Sequence, residues 1–293
     1  MKSGFVALIG CPNAGKSTLL NHLLNQKVSI VSSKPQTTRN AIQGVLNLED
    51  AQIVFVDTPG VHKPYFRLGE YMNDVAFSST KDVEVIVYLI DASLDFKEND
   101  QYLLDRVKKF SSPVIVAFNK IDLSNVKRME ALKKKYQEEL PEARQVELSA
   151  LEPFNLDELI QCILSYLEEG PQFFPEGMVS DHDEKFLAEE IIREKILHFT
   201  QKEVPHSVAV KVDGLERGEN GIEIDATIIV ERSSQKGIII GKQGTMIHKI
   251  GVAARKEMEK MWKQHVVLNT FVKVEKDWRN SEKDLKELGY KKS

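Results

Sequence analysis

Short apolar, largely β-branched runs alternate along the first half of the chain with longer stretches in which apolar positions recur every three or four residues. Phe5–Ile9, Ile53–Val56, Val85–Ile90, Val114–Phe118 and Val146–Leu148 lack the polar alternation of a half-exposed strand, so they are predicted to be strands buried on both faces. Between them, Lys16–Asn25, Glu98–Phe110, Val126–Glu139 and Leu156–Leu167 carry helical spacing. This order predicts an α/β fold with a mostly parallel, doubly wound sheet, which binds its ligands beyond the C-terminal ends of its strands.

The stretch 169–178 then brings two prolines and two glycines with no sustained period, the mark of a boundary. A different pattern follows: a helix over Asp183–Phe199, strands at Val208–Val212 and Ile222–Val230, a short helix at Gln235–Ile240, a glycine turn, a long helix, and a strand at Val266–Val274. The expected division is a first domain over 1–170, a linker over 171–182, an α+β domain over 183–280 and a charged tail over 281–293, with room from Asp277 onward for a final amphipathic helix. With 293 residues and 42% hydrophobic content the chain can support two cores.

The net charge of -4 argues against a simple polyanion binder, but it hides an asymmetry. From Asp181 onward, 21 Lys and Arg face 20 Asp and Glu, a net of +1, while the preceding part carries -5. Arg232, Lys236, Lys242, Lys249, Arg255, Lys256, Lys260 and Lys263 are opposed over their span only by Glu257 and Glu259, which makes a basic patch. Cys11 and Cys162 have no ligand spacing, and the seven histidines form no metal motif, so neither a disulfide framework nor a zinc site is expected. Without a signal region or a membrane-length apolar run, a cytoplasmic protein is expected.

The chemistry lies in the turns after the predicted strands. Gly10-Cys11-Pro12-Asn13-Ala14-Gly15-Lys16-Ser17, followed by Thr18, joins a strand to a helix and has the spacing of a phosphate loop. Its backbone N–H groups and helix N-terminus would face phosphate oxygens, Lys16 would reach the outer phosphates, and Ser17 would ligate Mg2+. Asp57-Thr58-Pro59-Gly60 follows the second strand, so that Asp57 could hold Mg2+ through water and the Gly60 N–H could meet a γ-phosphate. Asn119-Lys120-Ile121-Asp122 ends another strand, and a carboxylate there can accept the ring N–H and exocyclic amine of guanine, a donor pair that adenine lacks. Ser149-Ala150 would complete the base pocket through its backbone. Between the first two motifs, Gln36-Thr37-Thr38-Arg39 offers a mobile threonine to complete Mg2+ coordination, with Thr38 preferred over Thr37. Each motif alone has a plainer reading as a turn or helix cap, and it is the order and strand context that weigh against it.

The pairing of Gly-x-Pro-Asn-x-Gly-Lys-Ser with Gln-Thr-Thr-Arg resembles the Era family of GTPases. Phe174-Pro-Glu-Gly, Phe186-Leu-Ala-x-Glu-Ile-Ile-Arg-Glu-Lys195, Pro205-His-Ser-Val208 and Ile238-Ile-Ile-Gly-Lys-x-Gly244 extend the resemblance over nearly the whole chain. It implies a Ras-like P-loop GTPase domain and a C-terminal type II KH domain. It also implies GTP/GDP and Mg2+ as ligands, and monomeric binding to the 3′ end of 16S ribosomal RNA and the small ribosomal subunit during its assembly. Weak peripheral membrane contact comes with the family too. An asparagine at the position of Asn13 binds K+ in related GTPases. One departure is Val61, where Ras-type enzymes place a water-orienting glutamine, so slow intrinsic hydrolysis is expected. His62 reads as a solvated loop residue in preference to a base. The catalytic expectation therefore rests on Lys16, Thr38 and Gly60.

Gly241-Lys242-Gln243-Gly244 has the G-x-x-G form that clamps single-stranded backbone in KH domains, with Lys236, Ile239 and Lys249 expected beside it and Ile238, Ile240 and Ile247 as further candidates for the groove floor, most of these isoleucines being core. Two other classes stay open: an RNA-binding scaffold with structural nucleotide, and an RNA-modification GTPase, for which no further catalytic cysteine or cofactor site is found.

Overall fold

Four of the five runs expected to be buried on both faces become the middle of a six-stranded sheet in the computed structural model, which describes residues 1–219 and 221–291, while the fifth, Val146–Leu148, falls at the sheet's edge with Val146 alone buried in its strand. In chain order the first domain comprises β1 (Lys2–Gly10), α1 (Lys16–Leu23), β2 (Ile42–Asn47), β3 (Ala51–Asp57), α2 (Arg67–Ser78), β4 (Val85–Asp91), α3 (Glu98–Val107), β5 (Val114–Asn119), α4 (Val126–Glu139), β6 (Arg144–Glu147) and α5 (Leu156–Leu164). The strand order is β2-β3-β1-β4-β5-β6, and only the β2–β3 pair is antiparallel. Alternate residues of β1 serve opposite faces. Val6 and Leu8 join a core with Leu19, Leu20, Leu159 and Ile163, whereas Ala7 and Ile9 join Leu103, Leu104 and Tyr136 on the other side.

β2 and α2 were not expected from the sequence pattern. β2 is an edge strand with Gly44 at its centre, and its outer edge is covered by the linker: Val45 N donates to Val179 O at 2.9 Å. The Gln52 side chain ties the linker further, accepting from the Phe173 and Phe174 amides at 2.8 and 2.9 Å. This pairing removes an exposed strand edge.

The second domain comprises α6 (Glu184–Phe199), the single turn α7 (Val204–Ser207), β7 (Ala209–Gly218), β8 (Gly221–Val230), α8 (Ser233–Ile240), α9 (Thr245–Trp262), β9 (Val266–Val274) and α10 (Glu282–Glu287). Asp183 caps α6 by accepting from Phe186 N at 2.8 Å. β7 pairs antiparallel and β9 parallel with the central β8, and Ile191, Ile192 and Ile196 of α6 pack with Ile250, Ala254 and Met258 of α9 over one face.

The other face carries the expected final helix, but in an unexpected role. The segment expected as a charged tail forms α10 and inserts Leu285 and Tyr290 into a cluster with Trp278, Ala209 and Ile229 of its own domain and with Leu68, Tyr71 and Met72 of α2. Its charges point outward while its few apolar residues join the two domains. Lys292 and Ser293, the last residues of that expected tail, lie outside the described residues.

Candidate functional site

β1 ends at Gly10 and α1 starts at Lys16, so residues 11–15 must turn within one loop. Gly15 adopts φ +99, and a Cβ there would lie 2.2 Å from Asn119 Nδ2, so only glycine fits. Lys16 is buried beneath the loop, its Nζ donating to the Gly10 and Cys11 carbonyls at 3.1 and 3.2 Å. Burial pushes its pKa down, and the nearby Asp57 carboxylate opposes that. An ammonium so placed gains from any anion brought over the loop.

The oxygens expected to ligate Mg2+ converge. Asp57 at the end of β3 is fully buried, and its Oδ2 accepts from Ser17 Oγ at 2.6 Å and Ser29 Oγ at 2.9 Å. Thr38 Oγ1 lies 2.9 Å from Ser17 Oγ, whereas Thr37 Oγ1 turns away to Lys34 O at 2.6 Å. Asp57 Oδ1 has no protein partner. A buried carboxylate oxygen without a donor, beside two hydroxyls, suits a hard divalent cation or a water bound to one. Burial pushes the Asp57 carboxyl pKa up, against Lys16, Ser17 and Ser29, and a cation would offset the same cost. Ser29 was not anticipated. It is set by Asn21, whose Oδ1 accepts from the Val28 and Ser29 amides at 2.9 and 3.0 Å, a pairing across a loop that leaves no periodic signal.

The base-reading motif is organised by Asn119, a buried residue at the wall of the cavity. Its Nδ2 donates to Ala14 O at 2.8 Å, and its Oδ1 accepts from Lys120 N at 2.8 Å and Ala150 N at 2.9 Å. One buried side chain thus ties three loops together. Lys120 bridges Asn13 O at 2.7 Å and Asp91 Oδ2 at 2.6 Å. Asp122, Leu123, Ala150 and Leu151 line one end of a cavity of about 420 Å³, and Asn13, Lys16, Ser17, Thr18, Thr38 and Gly60 line the rest. Leu123 and Leu151, unanticipated and exposed, give that end apolar walls for a planar base. Ile121 packs toward the core, and Ser149 exchanges backbone hydrogen bonds with Phe154, outside the cavity lining.

Around the Asp57–Gly60 turn, Thr58 Oγ1 donates inward to Leu8 O at 2.7 Å, and Val61 N donates to Gly10 O at 3.1 Å. The Val61 side chain is wholly in the core and presents nothing to the cavity. His62 Nε2 lies 3.0 Å from Gln36 Nε2, and its Nδ1 lies 3.2 Å from Gly60 O, so the ring is occupied by loop contacts. Asn13 Nδ2 donates to Ser33 O at 3.0 Å. The Cys11 thiol is pushed up to about 12 by burial and by Asp100, which leaves it inert.

In the second domain, Gly241 and Gly244 take φ +71 and +78, and a Cβ on Gly241 would meet Met246 N at 2.8 Å. Lys242 and Gln243 stand exposed between them. Ile239 differs from expectation: it is fully buried in the second core, and its neighbour Ile238 is the exposed one. The helical turn fixes this, since adjacent residues lie about 100° apart. Lys236 Nζ sits 5.3 Å from the ring of the exposed Phe271, and Lys249 Nζ 4.2 Å from that of Phe199. Phe271 was not anticipated.

A guanine-type phosphate-loop site on a Ras-like sheet, joined to a KH fold, defines a class of two-domain GTPase. A family model described as 50S ribosome-binding GTPase matches residues 5–120, and a KH domain model matches residues 203–279. The GTPase Era of Clostridium kluyveri is 47% identical over 292 residues, 99% of this chain and 100% of that protein. Aquifex aeolicus Era in a crystal structure with GDP and aluminium fluoride is 42% identical, covers 99% of both chains and superposes with a TM-score of 0.94. A crystal structure of Era with MgGDPNP and nucleotides 1506–1542 of 16S ribosomal RNA matches at 42% identity over 99% of both chains, with a TM-score of 0.95. The chain belongs to the Era family of GTPases.

Proposed function

We propose that this GTPase is a nucleotide-controlled RNA-binding switch that takes the 3′ end of 16S ribosomal RNA on its KH domain and acts in assembly of the small ribosomal subunit. The observation that carries the switch is the placement of Arg39. It follows Thr38 directly, yet it is buried in the second domain, where Nη1 donates to Val208 O at 2.8 Å and to Tyr290 Oη at 3.2 Å. Its guanidinium lies 5.7 and 5.9 Å from the Trp278 and Tyr290 rings. Any movement of the loop that bears Thr38 therefore pulls on the second domain. The basic turn at Lys242 and the related Era–RNA complex support the choice of ligand.

In this reading, domain 1–170 holds the nucleotide and 183–280 the RNA. Lys16 pairs with the outer phosphates, the Gly60 N–H meets the γ-phosphate, and Asp122 accepts from guanine. Ser17, Thr38 and Asp57 hold Mg2+, which would offset phosphate charge; Asn13 would hold K+ to the same end. Gly241–Gly244 admits the RNA backbone, Lys236, Lys242 and Lys249 face its phosphates, and the exposed Ile238 and Phe271 replace Ile239 as the apolar surface for bases. Val61 supplies no water-orienting group, so hydrolysis is slow without a further donor. A scaffold with structural nucleotide leaves the direct contact between the Thr38 loop and the second domain without a use. Weak membrane contact would have to be peripheral, since no helix among the described residues is long and apolar enough to cross a bilayer.

The test is the affinity for a 16S 3′-end oligonucleotide, measured by anisotropy with GDP and with a non-hydrolysable GTP analogue, in wild type and Thr38→Ala. The expected result is at least tenfold tighter binding with the analogue, lost in Thr38→Ala. Equal affinities in wild type would leave the scaffold.

A further inference from the structure

The segment between α1 and β2 that bears Thr38 is held by the second domain at points besides Arg39, and two of them are adjacent residues of one helix. Glu194 Oε1 of α6 accepts from Val31 N at 3.0 Å, and its two oxygens accept from Lys27 Nζ at 2.8 and 2.7 Å. Arg193 donates from Nη2 to the Thr37 carbonyl oxygen. Arg193 is fully buried and is aimed by Glu190 one turn earlier, with Nε to Oε1 at 2.7 Å and Nη2 to Oε2 at 2.5 Å.

The Thr37 carbonyl shares a rigid peptide plane with the Thr38 N–H. A donor fixed on that carbonyl fixes the orientation of the plane and so the direction in which the Thr38 side chain leaves the backbone. The Thr38 hydroxyl is then 2.9 Å from Ser17 Oγ. We propose that Arg193 is a positioning residue for GTP hydrolysis, supplied by the RNA-binding domain and aimed by Glu190, which sets Thr38 for metal coordination. This rests on the role given to Thr38 above.

Packing alone does not call for this arginine. Its Nη1 is buried without a partner, and an apolar chain would fill the same space without that desolvation cost. The neighbouring anchors, the Thr37 hydroxyl on Lys34 O at 2.6 Å and the Arg39 guanidinium on Val208 O at 2.8 Å, act on either side of the 37–38 peptide and not on its carbonyl. The arrangement also reaches the RNA side. Glu257 of α9 pairs with both Lys27 and Lys195, and α9 begins at the Gly241–Gly244 turn. A load on that turn can thus reach the helix that orients Thr38.

The experiment uses full-length Arg193→Met, Arg193→Lys and Glu190→Gln proteins. Single-turnover GTP hydrolysis is followed against Mg2+ concentration, beside fluorescent-GDP affinity and melting temperature. In Arg193→Met the Mg2+ midpoint for hydrolysis is expected to rise, and the rate at saturating GTP to fall, each at least tenfold. GDP affinity should stay within twofold, because Thr38 does not serve the diphosphate. Arg193→Lys, keeping one donor, should recover part of the loss. An unchanged Mg2+ midpoint and rate in folded Arg193→Met would overturn the proposal, as would parallel losses of GTP and GDP affinity, the mark of a merely structural role. Should Arg193→Met not fold, Glu190→Gln, which releases Arg193 without removing it, decides on the same measurements. Failure here is separable from failure of the switch: a wild type whose RNA affinity ignores nucleotide sinks the switch and leaves Arg193 standing.

Discussion

Tyr290 tests whether the last turn of the chain locks the domains together. Its ring stacks on Trp278 at a centroid distance of 6.2 Å and an interplanar angle of 20°, and it meets Tyr71 of α2 edge-on at 5.6 Å. It is only 8% exposed. Truncating a buried aromatic costs about 3–5 kcal/mol in a closed core. This cluster can open to water, so the lower end applies: about 3 kcal/mol, roughly a hundredfold shift of the docking equilibrium at about 1.4 kcal/mol per tenfold. Tyr290→Phe keeps the ring and loses one hydrogen bond of 3.2 Å from Arg39, worth about 1.5 kcal/mol because the donor is charged and keeps Val208 O as a partner. The reporter is Trp278, which has no exposed surface and donates its Nε1–H to Ser207 O at 2.9 Å. In a Trp262→Phe background it is the only tryptophan. Tyr290→Ala should red-shift its emission and raise its quenching by acrylamide at unchanged far-UV circular dichroism, while Tyr290→Phe should leave both close to wild type. Unaltered Trp278 emission and melting temperature in Tyr290→Ala would refute the lock.

Asn119→Asp keeps the acceptor for the Ala150 and Lys120 amides but sets a carboxylate oxygen against Ala14 O in a buried site. A cost of about 2–3 kcal/mol should weaken GTP and GDP alike by roughly thirty- to hundredfold, and a loss below threefold by fluorescent-nucleotide titration would sink the hub role. Glu189, whose carboxyl burial pushes up to about 7, accepts from Val212 N at 2.8 Å. Because the folded state holds this proton more tightly than the unfolded chain, its contribution is fully present below the ordinary glutamate range and is lost as pH rises through about 7. Glu189→Gln keeps an acceptor and removes the titration, so its melting temperature relative to wild type should climb between pH 5 and pH 8; parallel curves would count against a raised pKa.

The strands, their order of motifs and the phosphate loop were legible because each depends on neighbours in sequence. A run buried on both faces is apolar at every position, and a loop that must turn in five residues before a helix declares itself by Gly15 and Lys16. What escaped depends on residues far apart in the chain. α2 carries helical spacing at Leu68, Tyr71, Met72, Val75 and Ala76, but half of that face is completed by Trp278, Leu285 and Tyr290, more than 200 residues later. α10 spans six residues with one buried position, so a final amphipathic helix could be expected there but not its docking on α2. Ser29 and Arg193 act through a carboxylate and a carbonyl whose positions no local pattern encodes.

The escapes that join the two domains lie together. Arg39, Tyr71, Arg193, Trp278 and Tyr290 all lie where the nucleotide-side loops meet the second domain. A surface that joins two domains is not as continuously apolar as a core. It uses isolated aromatics and buried guanidinium groups whose partners are in the other domain, and such pairs leave no periodic trace. The phosphate loop and the guanine motif of this GTPase are therefore written in short stretches, while the contacts that join its two domains, and would transmit nucleotide state in the proposed switch, are written across the length of the chain.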